Sequence, residues 1–577
     1  MQTKTLLVSA LLAVGAVLTP ALAQNYADGI EYFKSGQPDR AKIILDRTID
    51  DSETKKAESY YYLGEIAFPT SKDSAQMYYQ KGIEADPTFP LNYIGVGKVT
   101  MGKPLANDEK SIKAAIKAGE KQMKMAFKAT KTAKKDPAVA LAFVKAYYDN
   151  GLSYEAAKEK YYESHLADYA PYYVFLGDIE VPGENWGEAC KNYELAFSWY
   201  DTTCVEAYIK FAGIYFRINP DIAIDNVLTL LNMRPNSAIA QRELAESYYR
   251  ADKFNEAVKA YETYMKNPTA FDSDRPRHAA LLYYDKQYDA SITLVESLME
   301  KYPDNLMLKR LALYNYYELQ DYTSAIKAAE KLFATPDAKF NSRDYVQYGK
   351  LLLDLGKADD AVANLEKAIE IDPERTENYK ELETACAKAG KYMRRAEVHE
   401  MYIKQLEAKE QNKTQDYFVG GRYYYMAAAR AYQAGDTLNT RIGATKADSL
   451  FAIVTEKAPE DYRGHEWRAS ATSLLDPERK TGIAIPLYEK AIEIIVNDLN
   501  AENVPAARQK ALQKSLIDAY TYMANFDYVA EYNKYLAMSE EARQTFKFTK
   551  TIEWCNKILA IDPNHAATQE FLRVISQ

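Results

Sequence analysis

DYVQYGKLLLDLGKADDAVANLEKAIEIDPERTEN, Asp344 to Asn378, spells two helices and a tight turn. The first helix is predicted over Tyr345 to Leu355 and ends at Gly356. Glycine tolerates the positive φ found just past a helix end. The second is predicted over Asp359 to Ile371. Pro373 stops it, since proline has no N–H to donate and disfavours helical backbone at Asp372. Tyr345, Tyr348, Gly349, Leu352, Gly356, Ala361, Leu365, Ala368 and Pro373 occupy positions 4, 7, 8, 11, 15, 20, 24, 27 and 32 of the unit. Small residues at 8, 20 and 27 let the two helices approach closely. The large ones at 4, 7, 11 and 24 fill the space between them.

That pattern resembles the tetratricopeptide repeat, whose period is about 34 residues. The resemblance implies an all-α, right-handed superhelical solenoid of helix-turn-helix repeats. Similar units are legible elsewhere: Gly29, Tyr32, Ala41 and Leu45 near the start, and Tyr173, Leu176, Gly177, Ala189, Tyr193 and Ala196 in the middle. About a dozen units cover most of 24–577. The expected organisation is N-terminal repeats over 24–97, an irregular lysine-rich segment over 98–136, central repeats over 137–334, C-terminal repeats over 335–565 and a capping helix over 566–577. Further breaks in register fall at NPTAFDSDRP (267–276), at DPERKTG (476–482) and at 435–446, where TLNTRIGATK reads as a lengthened turn.

Residues 1–23 read as a secretory signal peptide: one lysine, an apolar run, then Ala21-Leu22-Ala23 as a small-x-small cleavage site. No cysteine lies beside that site, and no later stretch reaches the 18 apolar residues of a membrane span. The expected location is the periplasm, free or peripherally membrane-attached. The tyrosine-rich repeats resemble those of envelope proteins of the Bacteroidota. Loss of Lys4 with the leader changes the net charge from −9 to −10, which argues against nucleic acid as a partner. Cys190, Cys204, Cys386 and Cys555 are read as buried apolar residues. Cys190 and Cys204 stand roughly 18 Å apart on a helical path, too far for a disulfide.

Two stretches are candidates for binding. In 110–135, nine lysines against Glu120 give +8, leaving −18 for the rest of the mature chain. Lys110, Lys113, Lys117, Lys121, Lys124, Lys128 and Lys131 recur at three- and four-residue spacing. That places them on one face of a helix, opposite Ile112, Ile116, Met123 and Phe127. Such a face suits an anionic partner surface; it equally fits a solvated face balanced by acidic neighbours. The second candidate follows from the resemblance, which implies a concave groove lined by positions 2, 5, 9, 12 and 13 of each first helix. This nominates Phe216, Tyr249, Tyr317 and Tyr432 at position 12, Tyr314 at 9 and Tyr425 at 5. Rings with polar tips suit an extended peptide or a glycan; the same rings also fit packing between repeats.

Sharper motifs fail. Gly97 to Lys103 spells GxxxxGK, but Pro104 stands where a phosphate-binding loop needs Ser or Thr. His399-Glu400 and His465-Glu466 begin HExxH, but Ile403 and Ala469 replace the second histidine. The family's clamp for chain-terminal carboxylates is incomplete, with Lys380 at position 5 but Thr384 at 9. The resulting expectation is a non-enzymatic scaffold without cofactor or metal, joining envelope proteins in an assembly, secretion or motility complex, with an extended peptide segment as one form of partner. The alternative is a glycan- or nutrient-binding protein of outer-membrane uptake.

Overall fold

A computed structural model describes residues 24–161 and 166–576. The signal-peptide expectation, residues 1–23, lies outside the described residues. Every regular element among the described residues is a helix, and none of these helices is long and apolar enough to cross a membrane. The chain forms two compact units, Met1–Leu311 and Ala312–Gln577. The first holds eight described helix pairs, from Tyr26–Lys34 with Pro38–Thr48 to Arg275–Tyr284 with Tyr288–Lys301. In the second, five pairs run from Ser342–Asp354 with Ala358–Ile371 to Ala506–Leu536 with Thr549–Ile561, before a terminal helix, Ala566–Ile575. The fold is an all-α solenoid of tetratricopeptide-type repeats.

The opening unit shows why the pairs form. Asn341 caps the first helix by accepting from the Asp344 N–H at 3.0 Å, and the Asp344 carboxylate accepts from the Asn341 N–H at 2.9 Å. The helix therefore starts at Ser342, three residues before the predicted Tyr345. Gly356 ends the pair's first half with φ +75°. A Cβ there would meet no atom within 4 Å, so the cost of adding one is purely conformational. Gly356→Ala is expected to lose about 1–2 kcal/mol, measurable by urea denaturation of the full chain; an unchanged midpoint would contradict this. At position 8, Gly349 faces Leu365 of the second helix, and a Cβ would come within 2.7 Å of the Leu365 side chain.

Two expectations are corrected. The lengthened turn at 435–446 is helix: Thr437–Lys457 begins directly after Gly435 and Asp436 and pairs with the equally long Thr414–Gln433. The extra residues extend both helices because Gly443 lies close enough to Ala428 to hold the crossing together. The lysine-rich segment is not one helix. Glu109–Met123 is helical, then the chain turns through a short helix, Ala126–Ala129, and a 3-10 turn, Lys131–Lys135. The turn lets Ala126 and Ala133 bury beside Phe143, while Phe127 stacks on Phe143 at 5.5 Å.

Unit 1 turns back on itself. Its first repeat packs on elements near residues 205–275 of the same unit, in one apolar cluster containing Tyr32, Ile44, Tyr208, Ile239 and Phe271. Tyr32 meets Phe271 edge-on at 5.3 Å. Arg234 bonds to Glu31 at 3.1 Å. Arg40 makes a two-pronged ion pair with Asp274. The register break at 267–276 is thus the landing site for the first repeat.

Candidate functional site

Because unit 1 returns to its own start, the first helices of six repeats converge, one of them, Leu91–Met101, through Leu91 alone. Tyr26–Lys34, Lys56–Ala67, Pro137–Tyr148, Ala170–Glu180 and Val205–Tyr215 line a pocket of about 350 Å³. Its apolar wall includes Phe33, Val174 and Phe175. The polar wall is charge-balanced: Glu65, Asp178 and Glu206 against Lys34, Lys145 and Lys210.

These charges differ in how they are held. Lys210 Nζ donates to both oxygens of Asp178 at 2.6 Å, a closed pair. Glu65 belongs to a buried network. Lys98, 4% exposed, lies 3.0 Å from Glu65 and 2.6 Å from Asp149, with its ammonium 4.2 Å from the centre of the Phe68 ring. Tyr79 donates its hydroxyl to Glu65 at 2.7 Å. Burial by itself would raise the Glu65 pKa, but the charges of Lys98 and Lys145 and the Tyr79 hydrogen bond hold it below the usual carboxylate value. Tyr61, Tyr62 and Tyr169 also line the pocket. Burial pushes their phenols up, Tyr169 to about 12, so all three present neutral hydroxyls at neutral pH.

The pocket arises from repeat geometry. With Gly64 at position 8, Tyr61 and Glu65 are positions 5 and 9; with Gly177 at 8, Asp178 is position 9; with Ala212 at 8, Glu206 is position 2. These are groove positions of the repeat, passed over because the search for them followed aromatic pairs. The signal that could have found them was charge at positions 2 and 9 of the first six repeats.

Residues 345–375 match the family model of the tetratricopeptide repeat. No curated protein matches the chain in sequence. Among solved structures, the C-terminal part of a TPR repeat-containing protein from Cytophaga hutchinsonii is 25% identical, covering 51% of this chain and 98% of that one, with a TM-score of 0.31. A tetratricopeptide repeat protein from Parabacteroides merdae is 18% identical over 43% of this chain and 93% of that one, TM-score 0.34. Yeast Tom70 is 13% identical over 69% and 94%, TM-score 0.32.

Five of the six nominated aromatics contact a neighbouring side chain of their own unit. In unit 1, Phe216 lies under Arg250, 5.2 Å from its guanidinium. Tyr249 sits beneath Arg277 at 4.1 Å and against Tyr284. In unit 2, Tyr314 is 5% exposed, its hydroxyl donating to Asp344 at 2.6 Å, so it offers no free face and is corrected to a packing residue. Tyr317 is half-buried and donates to Asp354 at 3.0 Å. Tyr425 packs edge-on against Trp467 at 5.3 Å. Tyr432, 50% exposed, borders a separate hollow with Arg441, Leu474 and Pro477.

The lysine-rich segment keeps its charge outward although its helix breaks. Lys110, Lys113, Lys117, Lys121, Lys124, Lys128 and Lys131 are all exposed. Lys113 pairs with Glu109 within its own helix at 2.5 Å. The opposite face of that helix buries Ala115, Gly119 and Met123, and Gly119 meets Gly97 backbone to backbone, where a Cβ on either would lie 2.6 Å from the other's carbonyl oxygen. The four cysteines are free and buried. Burial raises their thiol pKa values, Cys190 and Cys386 to about 11, so they are unreactive near neutrality.

Proposed function

We propose that the chain is a non-catalytic scaffold of the periplasm that holds envelope proteins together. The repeat fold supports an interaction role, and the leader-like residues 1–23 support export. The observation that carries the reading is the lysine segment. Its nine lysines are exposed without exception, four of them on the helix Glu109–Met123, which is anchored by its small-residue face. A concentrated positive surface on an acidic chain steers an anionic partner face towards it.

Pull-down from crosslinked envelopes tests the scaffold role, and a five-lysine variant tests the surface. Replacing Lys113, Lys117, Lys121, Lys124 and Lys128 with Gln is expected to slow association by about 10-fold or more at low salt. The difference from wild type should vanish near 1 M salt, where charges are screened within about 3 Å. Thermal unfolding should be unchanged, because the five side chains are exposed. Equal association rates at every salt concentration would remove the lysine surface from the account. Recovery of no envelope protein would remove the scaffold.

A further inference from the structure

The pocket of unit 1 presents two opposite charges, Glu206 and Lys145, that no ion pair closes among the described residues. Glu206 is nine-tenths buried and makes no hydrogen bond or ion pair among the described residues. Lys34 shares the pocket wall and acts on the same Tyr169 and Cys204 that feel Glu206, but makes no ion pair with it among the described residues. Lys145, half-buried on another helix, makes no ion pair among the described residues. It acts on Glu65 through space, but Lys98 already holds that carboxylate. The hydroxyls of Tyr61, Tyr62 and Tyr169 likewise have no hydrogen-bond partner among the described residues.

A charge on a pocket wall without a bonded partner favours a ligand that supplies the counter-charge. A purely anionic ligand would answer Lys145 and worsen the position of Glu206; a purely cationic one would do the reverse. A dipolar ligand answers both. We propose that this pocket binds a small zwitterion of amino-acid or dipeptide size, its ammonium on Glu206 and its carboxylate on Lys145. The three tyrosine hydroxyls hydrogen-bond the polar atoms between, and Phe33 and Phe175 cover the apolar part. The volume of about 350 Å³ lies at the small end of ligand pockets, which suits a ligand of this size. This site goes beyond the scaffold role and does not depend on it.

The test is native mass spectrometry of the full chain with the free amino acids and with unblocked dipeptides, each beside its N-acetylated and C-amidated form. Free zwitterions are expected to be retained at least ~10-fold better than either blocked form, since a site built around a polar group discriminates against the analogue lacking it. Glu206→Gln should abolish the preference over the acetylated form, and Lys145→Gln the preference over the amidated form. Thermal unfolding checks each variant; if one fails to fold, the other decides. Retention of no zwitterion, equal retention of blocked forms, or normal preferences in both variants would each overturn the assignment. So would capture of glycerophosphoethanolamine in place of amino acids and dipeptides, since it would make the ligand a lipid headgroup.

Discussion

Asp274→Ala is expected to destabilise unit 1 by about 3–5 kcal/mol, the usual cost of removing one partner of a buried ion pair. The Asp274 side chain is 6% exposed. Arg40 grips both its oxygens, with Nη1 at 2.8 Å from Oδ2; Arg242 Nε stands 3.3 Å from Oδ2; and Tyr264 donates to Oδ2 at 2.6 Å. Removing the carboxylate leaves the partly buried Arg40 guanidinium without a counter-charge and facing Arg242, which keeps only Glu246 at 3.7 Å. Because Arg40 belongs to the first repeat, the loss should appear there first, as faster hydrogen exchange over 24–48 than over the repeats between. A cost below about 1 kcal/mol, or uniform exchange across the unit, would show that the apolar contacts of Tyr32 and Phe271 suffice for closure.

The same carboxylate sets an acid limit. Burial tends to raise its pKa, but the Arg40 hydrogen bonds, the Arg242 charge and the Tyr264 hydroxyl together hold it below its ordinary value. A depressed carboxylate stabilises the fold fully above its unfolded pKa, near 3.9, and loses that contribution as pH falls through the folded value. Closure should therefore be insensitive to pH between 5 and 8 and weaken below about pH 4.

The second large effect is expected at Tyr79, which is fully buried. Its ring lies between Gly64 and Gly95: a Cβ on Gly64 would fall 2.3 Å from the ring and one on Gly95 2.4 Å. Glycine is needed at both positions because the ring fills the space a side chain would take. Tyr79→Ala should cost about 3–5 kcal/mol, since two backbones so close to the ring cannot collapse far into the void. Tyr79→Phe keeps the ring and removes only the 2.7 Å hydrogen bond to Glu65, which should cost about 1.5–3 kcal/mol as a bond to a charged group. Urea denaturation of both variants separates the terms. Equal losses would mean that the hydroxyl, not the ring, is what the site depends on.

Gly64 and Tyr79 were legible in the sequence as positions 8 and 24 of a repeat shortened by one residue between them; the second glycine against the ring was not. Gly95 comes from the following repeat, whose register is irregular. The lysine segment shows the same division. Its spacing announced a charged helix, and all its lysines are exposed, yet the break after Met123 depends on how Ala126, Phe127 and Ala133 reach Phe143. At Thr437 the sequence misled, because ten residues rich in Thr, Asn and Gly read as a loop. They are helical because Gly443 can lie against Ala428 on the partner helix.

By itself the sequence determined the helix pairs, their small-residue contacts and their stops at Gly356 and Pro373, since all of these act within one or two turns of chain or between adjacent helices and so recur with the repeat. Tertiary structure alone decided that the first repeat docks on Asp274, 234 residues from Arg40, and that Tyr61, Lys145 and Glu206 meet around one pocket. The physical reason is that closure adds one set of contacts between distant repeats. These contacts occur once and carry no period, so they depend on how the small rotations from each helix pair to the next accumulate.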